Sequence, residues 1–175
     1  LHLSVHSFPT RRSSDLYFDE AEAAAFVYDW LDERDLDPQF HHVSEPEITG
    51  FEGDNVIARL EGEDSDAPTL LLNGHLDTHQ IVEKMEAQPL SGHIEDGKLY
   101  GQGACDMKGG LAGAMAAFEA LADADREWAG DVLFTAVVDE EGPYGLGTNQ
   151  LIWDGVLDEV DAAIVPEPGP VLGQE

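Results

Sequence analysis

Acidic and imidazole side chains gather at four points along this 175-residue chain, each at the end of a short apolar run or just after it. The runs are LLLN, KLY, FTAVV and AAIV. Open α/β sheets bind ligands at the carboxyl ends of their strands, so side chains far apart in sequence can meet there. We therefore expect one site that combines, in chain order, His75, Asp77, Asp106, Glu140, Glu141 and Glu167.

These residue types suit zinc. Imidazole nitrogen and carboxylate oxygen bind it at about 2.0–2.2 Å, and a hydrolytic site keeps one position open for water. Asp77 could accept the second N–H of His75 and so fix its tautomer. One of the adjacent Glu140 and Glu141 could bind metal while the other deprotonates the attacking water. Asp106, bracketed by glycines, could lie between two ions about 3.5–4 Å apart.

Other residues near these clusters have simpler interpretations. His79 and His93 are expected to be structural, and His93 falls in a predicted hairpin. Cys105 is expected to be a small buried residue, because no histidine motif indicates a nucleophile there. The segment GQGACDMKGG is not a phosphate loop, since Lys108 precedes Gly109 and no Ser or Thr follows.

Apolar periodicity between the clusters predicts alternating helices and strands. Helices are predicted from residue 17 to about 35 and over 107–122. Strands are predicted at 39–43, 55–60, 69–73, 131–138 and 162–165, the last three of them buried, together with a hairpin (91–94 and 98–100) around Glu95-Asp96-Gly97. This pattern predicts an α/β fold with a mixed, mostly parallel sheet between helices.

The charge balance is strongly acidic, with 37 acidic and 8 basic side chains and a net charge of −29. We expect a salt-loving source, because concentrated cytosolic salt would screen the repulsion and the Debye length falls to about 3 Å at 1 M. A mesophilic protein could instead carry this charge for solubility. No basic patch exists for nucleic acid, and no apolar run approaches the roughly 20 residues of a membrane span. A single cysteine fits a reducing cytoplasm.

The two ends of the chain differ from the rest. Residues 6–16, HSFPTRRSSDL, hold two of the five arginines and one acid in a chain otherwise rich in acids. We interpret residues 1–16 as a non-native segment translated from a sequencing adapter, with a disordered native tail as the alternative. The chain ends in the Pro/Gly-rich VPEPGPVLGQE, which we interpret as truncation within a domain.

Four segments in a fixed order, LLLNGHLDTH, YGQGACDMKGGLAG, VVDEEGPYGLGT and VPEP, resemble a family of zinc-dependent metallopeptidases and deacylases. That family includes aminoacylase, acetylornithine deacetylase, succinyl-diaminopimelate desuccinylase and glutamate carboxypeptidase. The resemblance implies that residues 17–175 are the N-terminal part of a zinc exopeptidase-like catalytic domain that holds two zinc ions, with cobalt or manganese as other occupants. In this family pattern Asp106 would bridge the two ions. His75 and Glu167 would complete the ligands of one ion, and Glu141 would bind the other. Asp77 would orient His75, and Glu140 would act as the general base.

The chain departs from the family pattern in two ways. Members carry a further zinc-binding histidine beyond an inserted domain that helps to form homodimers, and this chain ends before both. We therefore expect the 175-residue chain alone to be inactive towards its substrate, an N-acyl amino acid or a small peptide. His79 stands where an apolar or small residue is expected, so it would touch substrate or lie at the rim. A non-catalytic metal-binding relative and an acidic cation-binding protein are the alternative functions.

Overall fold

The computed structural model describes residues 20–79, 91–125 and 127–169, so the interpretation of residues 1–16 lies outside the described part. Three helices and seven strands are present in those ranges. They are α1 (Ala21–Asp32), β1 (Gln39–Glu45), β2 (Phe51–Leu60), β3 (Thr69–His75), β4 (His93–Glu95), β5 (Lys98–Tyr100), α2 (Gly109–Ala122), β6 (Val132–Val137), α3 (Leu146–Trp153) and β7 (Val160–Ile164).

Five of the strands form one sheet in the order β1-β2-β6-β3-β7, and β4 pairs with β5 in a separate hairpin. Strand β3 runs parallel to both β6 and β7, whereas β2 is antiparallel to β1 and β6. The predicted α/β class with a mixed, mostly parallel sheet is therefore confirmed. The described ranges hold no helix with the length and hydropathy that crossing a membrane requires.

Strand β6 lies at the centre of the core. All six of its residues are buried, as expected for a strand covered on both faces. Because side chains alternate along a strand, Phe134 lies in the cluster shared with α1 and α2, and its neighbours point to the other face. The rings of Phe134 and Phe118 in α2 are 5.6 Å apart, and neither residue is exposed. Burying each such side chain contributes about 1.5–3 kcal/mol.

Strand β7 departs from the sequence prediction. The run AAIV is a strand, but most of β7 is exposed rather than buried. The physical reason is its place at the edge of the sheet, because it pairs only with β3 among the described strands. Ile164 and Val165 are accordingly 52% and 47% exposed.

Two helices also differ from the prediction. Helix α2 begins at Gly109, two residues later than predicted, because Asp106 and Met107 have non-helical backbone angles. The sequence analysis did not predict α3, since its eight residues, LGTNQLIW, place apolar side chains on several sides rather than along one stripe. It nevertheless buries Leu146 and Leu151.

The buried amide of Asn55 joins three elements. Its Nδ2 donates to the carbonyl of Gly147 at 2.9 Å, and its Oδ1 accepts the N–H of Val138 at 3.0 Å. Asn55 is fully buried in β2, so no water replaces either partner. A Cβ at position 147 would lie 2.3 Å from the carbonyl oxygen of Val138, which requires glycine at this approach of α3 to the end of β6.

Helix α1 begins beside a buried carboxylate. Glu20 is 7% exposed, and its carboxyl group lies close to the backbone N–H of Asp139. Burial, followed by the negative charge of Asp77, raises the pKa of Glu20 to about 9. Burial also lowers the pKa of the nearby Lys108, partly opposed by the charges of Asp77 and Glu20. The folded chain therefore holds Glu20 in its protonated, neutral form at neutral pH.

Replacing Asn55 by Leu should destabilise the chain. The change leaves the Gly147 carbonyl and the Val138 N–H buried without a partner, at a cost of about 1–3 kcal/mol for each group. Urea unfolding measures the difference. The matched control is Asn149→Ala, which removes an exposed bond to the Tyr144 carbonyl and should change the stability by less than about 0.5 kcal/mol. Equal stabilities of the two variants would contradict the structural role of Asn55.

Replacing Glu20 by Gln should make the stability less dependent on pH. Between the usual carboxyl pKa of 4.5 and the folded-state value of about 9, the folded chain holds a proton that the unfolded chain has lost. Glu20 therefore lowers the free energy of unfolding as the pH rises through that window, and the neutral amide removes this loss. Thermal unfolding is measured with a chelator present, at pH values between 4.5 and about 9. The free energy of unfolding of Glu20→Gln should exceed that of the original chain by an amount that grows with pH. The exposed Glu22→Gln should show no such difference.

Candidate metal centre

The imidazole of His75 stands at the carboxyl end of β3, and three carboxylates converge on it. Its Nε2 lies 3.2 Å from Asp106 Oδ1, 3.6 Å from Glu167 Oε1 and 3.8 Å from Glu140 Oε2. The His75 side chain is 1% exposed, while Asp106 and Glu140 are about half exposed at 50% and 48%. A buried nitrogen thus faces a group of solvent-accessible carboxylates that come from three separate loops.

The Asp77 carboxylate organises the opposite side of the imidazole. The Nδ1 of His75 is 3.0 Å from the Asp77 carbonyl oxygen and 3.3 Å from its Oδ1. The same carboxylate accepts the backbone N–H groups of Glu140 and Glu141, at 3.1 and 2.8 Å. Both oxygens of a buried carboxylate are therefore used to join the end of β3 to the loop after β6.

The Asp106 loop is held by close backbone contacts. Gly103 has a positive φ of 72°, and a Cβ there would lie 2.3 Å from Thr78 Cγ2, so only glycine fits. An irregular turn, Ala104–Lys108, follows, and its Asp106–Met107 peptide bond is cis. The Met107 sulfur accepts the backbone N–H of His75 at 3.2 Å, which attaches this turn to the end of β3.

Glu167 reaches the site because α2 and the loop after β7 touch at the backbone. A Cβ on Gly110 would lie 2.1 Å from the carbonyl oxygen of Pro166. The first turn of α2 therefore requires glycine at this contact. The Glu167 N–H donates to the Val165 carbonyl at 2.8 Å, forming a tight turn directly after the strand. This turn places the carboxylate beside His75.

The charges around His75 are unbalanced. Burial alone would lower the pKa of His75, but the hydrogen bond and charge of Asp77, then the bond to Asp106, raise it to about 9. Burial raises the pKa of Glu167, and the negative charge of Asp106 adds to the rise while the charge of His75 opposes it. The site thus favours an added positive charge, either a proton or a cation.

The donor set fits zinc. His75, Asp106 and Glu167 are the one group of three potential ligands found in the described ranges, with ligand atoms all within 4.8 Å of one another. Two ligand atoms of a tetrahedral ion with bonds of about 2.0–2.1 Å lie roughly 3.3 Å apart, close to the observed 3.2 and 3.6 Å. If Nδ1 carries the imidazole proton, the free Nε2 lone pair faces carboxylate oxygens, which requires a cation between them.

Glu141 has a different neighbour. Its Oε2 lies 2.7 Å from His79 Nε2, and its side chain is 10% exposed. Burial raises its pKa, whereas the charge of His79 acts against the rise. Glu141 therefore lies beside the His75 group without belonging to the set of three, and the sequence analysis did not anticipate the contact with His79.

Two other sequence interpretations have different outcomes. The expectation that Cys105 is buried is wrong, because this cysteine is exposed in the turn that carries Asp106. His93 stacks on Tyr100 across the hairpin, with ring centroids 4.8 Å apart and no contact to the site. The sequence analysis also missed Glu20 and Lys108, which are buried close to Asp77. An acid that opens an amphipathic helix gave no signal distinct from the chain's many surface acids.

Comparisons with known proteins identify the family of this chain. The model of Peptidase family M20/M25/M40 matches residues 71–174. Succinyl-diaminopimelate desuccinylase of Beijerinckia indica subsp. indica is 35% identical over 133 residues, which cover 74% of this chain and 33% of the relative. The chain spans between 30% and 39% of the length of the curated relatives it matches.

Solved structures share the fold. The M20 metallo-carboxypeptidase Sso-CP2 of Sulfolobus solfataricus superposes with a TM-score of 0.67 at 21% identity, covering 93% of this chain and 35% of that one. The dinuclear metal-binding M20 peptidase YXEP of Bacillus subtilis superposes with a TM-score of 0.58 at 23% identity, covering 92% and 39%. The family resemblance inferred from the four motifs is confirmed: the chain belongs to peptidase family M20/M25/M40.

Proposed function

We propose that this chain is the metal-binding part of a two-zinc hydrolase that cleaves an amide bond of an N-acyl amino acid or a small peptide. The observation that carries the proposal is the meeting of His75, Asp106 and Glu167, from three separate segments of the chain, within 4.8 Å. The names of its relatives, a desuccinylase in sequence and peptidases in structure, support removal of an acyl group or cleavage of a peptide.

The proximity of three ligand atoms supports the assignment of the first ion, and the family resemblance supports that of the second. His75 Nε2, Asp106 and Glu167 would hold one ion, and Asp106 would also serve a second ion together with Glu141. The dinuclear character of the Bacillus subtilis peptidase supports two ions rather than one. Zinc suits the mixed nitrogen and oxygen ligands, and cobalt or manganese could bind to the same set.

The chain's own residues would prepare and move the proton. When bound, the two ions would make the attacking water more acidic and stabilise negative charge on the scissile carbonyl. Asp77 holds the tautomer of His75 through Nδ1. Glu140 is half exposed and its backbone N–H is fixed on Asp77. It would take the proton from the attacking water and then deliver it to the leaving amine.

The alternative functions use the same residues without turnover. A non-catalytic relative would keep the ligands and lose the base, and an acidic cation-binding protein would need no defined base. The site carboxylates are all present, Glu140 included, which supports catalysis. We also propose that the 175-residue chain alone lacks activity, because one ion would have only Asp106 and Glu141 among the ligands assigned above.

Replacing His75 by Gln should weaken zinc binding by the 175-residue chain at least about tenfold, since even partners outside the ligand shell contribute that much. Competition with a chromophoric chelator measures the affinity. Zinc at a hundredfold excess over Kd should also stabilise the original chain by about 2.7 kcal/mol. Its melting temperature should rise accordingly, and EDTA should reverse the rise. The exposed His93→Gln is the matched control. Unchanged affinity of the His75 variant would contradict the ligand assignment.

Replacing Glu140 by Gln tests the base in the protein encoded by the complete locus. Loss of a positioned general base should lower kcat by about 10²–10⁴-fold, while zinc affinity stays near that of the original protein. Steady-state hydrolysis of N-acyl amino acids and dipeptides, with metal content measured in parallel, checks both parts. Glu52→Gln, at an exposed position in β2, is the control. Absence of turnover in the unmodified protein would favour a binding function instead.

A further inference from the structure

The contact between His79 and Glu141 has the geometry of a charge-assisted hydrogen bond. Their Nε2 and Oε2 atoms are 2.7 Å apart, within the usual 2.7–2.9 Å range for a nitrogen donor on a carboxylate. The His79 side chain is 75% exposed, whereas that of Glu141 is 10% exposed. A surface imidazole therefore reaches inward to a nearly buried carboxylate.

The backbone of His79 is held in place from the Asp106 loop. The Gln102 side-chain amide donates to the His79 carbonyl oxygen. Gly103 packs directly against Thr78, where a Cβ would lie 2.3 Å from the methyl group. The backbone of Thr78 and His79 is thus held against the loop that also carries Asp106, with the His79 side chain in contact with Glu141.

The distance favours a hydrogen bond over shared ligation of one ion. Two ligand atoms on one tetrahedral zinc would lie roughly 3.3 Å apart, whereas these atoms are 2.7 Å apart. A proton on His79 Nε2 fits the shorter distance. This bond uses Oε2 of Glu141 and leaves Oε1 available for a metal ion. Carboxylates that bind metals are commonly oriented by such hydrogen bonds from outside the ligand shell.

We propose that His79 is a positioning residue for the second metal ion, donating its Nε2–H to Glu141 so that one carboxylate oxygen faces Asp106. This inference rests on the proposed function, in which Glu141 binds that ion. It also gives a role to the residue that departs from the apolar or small side chain expected after Asp77-Thr78. His79 itself does not bind the metal.

Cobalt titration of the 175-residue chain tests the proposal through affinity. His79→Ala should weaken the second, weaker equivalent by about 10–100-fold, the usual effect of losing an orienting partner, and leave the first unchanged. His79→Gln keeps an N–H donor and should restore most of the loss. His93→Ala, another exposed histidine, should change neither equivalent. Equal binding by the original chain and His79→Ala would overturn the inference.

NMR of the ¹⁵N-histidine-labelled chain tests the bond directly. His79 should carry its proton on Nε2 with and without zinc, and Glu141→Ala should abolish that preference. Coordination of a metal ion by His79 Nε2 would overturn the inference in favour of direct ligation. The same would follow if His79→Gln lost as much affinity for the second equivalent as His79→Ala. If the original chain binds one ion normally and no second, this inference fails, whereas the assignment of the first ion to His75, Asp106 and Glu167 stands. If it binds two regardless of His79, the inference alone fails.

Discussion

The site depends on one buried carboxylate. Asp77 receives the backbone N–H groups of Glu140 and Glu141 and faces Nδ1 of His75, so it joins the ends of two parallel strands that are far apart in sequence. At 3% exposure it has little contact with water, and a buried anion is tolerated only when donors satisfy it. The three donors therefore specify one relative arrangement of the loops after β3 and β6. The Asp77 carboxylate also contacts Nδ1 of His75. The same side chain therefore joins the two loops and sets the direction in which His75 Nε2 points.

That arrangement creates an electrostatic conflict that the protein alone does not resolve. Asp106, Glu140 and Glu167 all lie within 4 Å of a single imidazole nitrogen. The raised pKa of His75 and Glu167 shows that the site takes up protons when no other cation is available. A divalent ion at this position would offset two negative charges where a proton offsets one. Neighbouring Glu20 is held neutral by burial, which keeps a further negative charge from adding to the conflict.

Sequence reasoning reached the parts of this architecture that follow from local patterns. The continuous apolar runs of β3 and β6 are buried strands, and His75 and Glu167 stand at the ends of the neighbouring strands β3 and β7, so their convergence could be expected from sheet geometry. Asp106 instead reaches them from the turn before α2, because the strand that precedes it belongs to the separate hairpin. Sequence reasoning failed where the outcome depends on distant contacts. The exposure of β7 depends on its place in the strand order, and α3 is short and held in part by the Asn55 bond to Gly147. Neither the His79–Glu141 contact nor the burial of Glu20 has a periodic signature, because each arises from how separate loops pack.

Close backbone contacts at two glycines allow four loops that carry acidic side chains to approach one another. Gly110 lets the first turn of α2 approach the Pro166 carbonyl, and Gly103 lets the Asp106 loop rest on Thr78. A Cβ atom at either position would lie less than 2.5 Å from a neighbouring atom. At Gly110 that neighbour is a backbone carbonyl oxygen, which cannot rotate away. Mutual repulsion of the carboxylates opposes this approach, and the backbone hydrogen bonds to Asp77 act against that repulsion. Preorganisation of this kind means that a binding ion has little loop rearrangement to drive, and its ligands already stand near the separation that zinc requires.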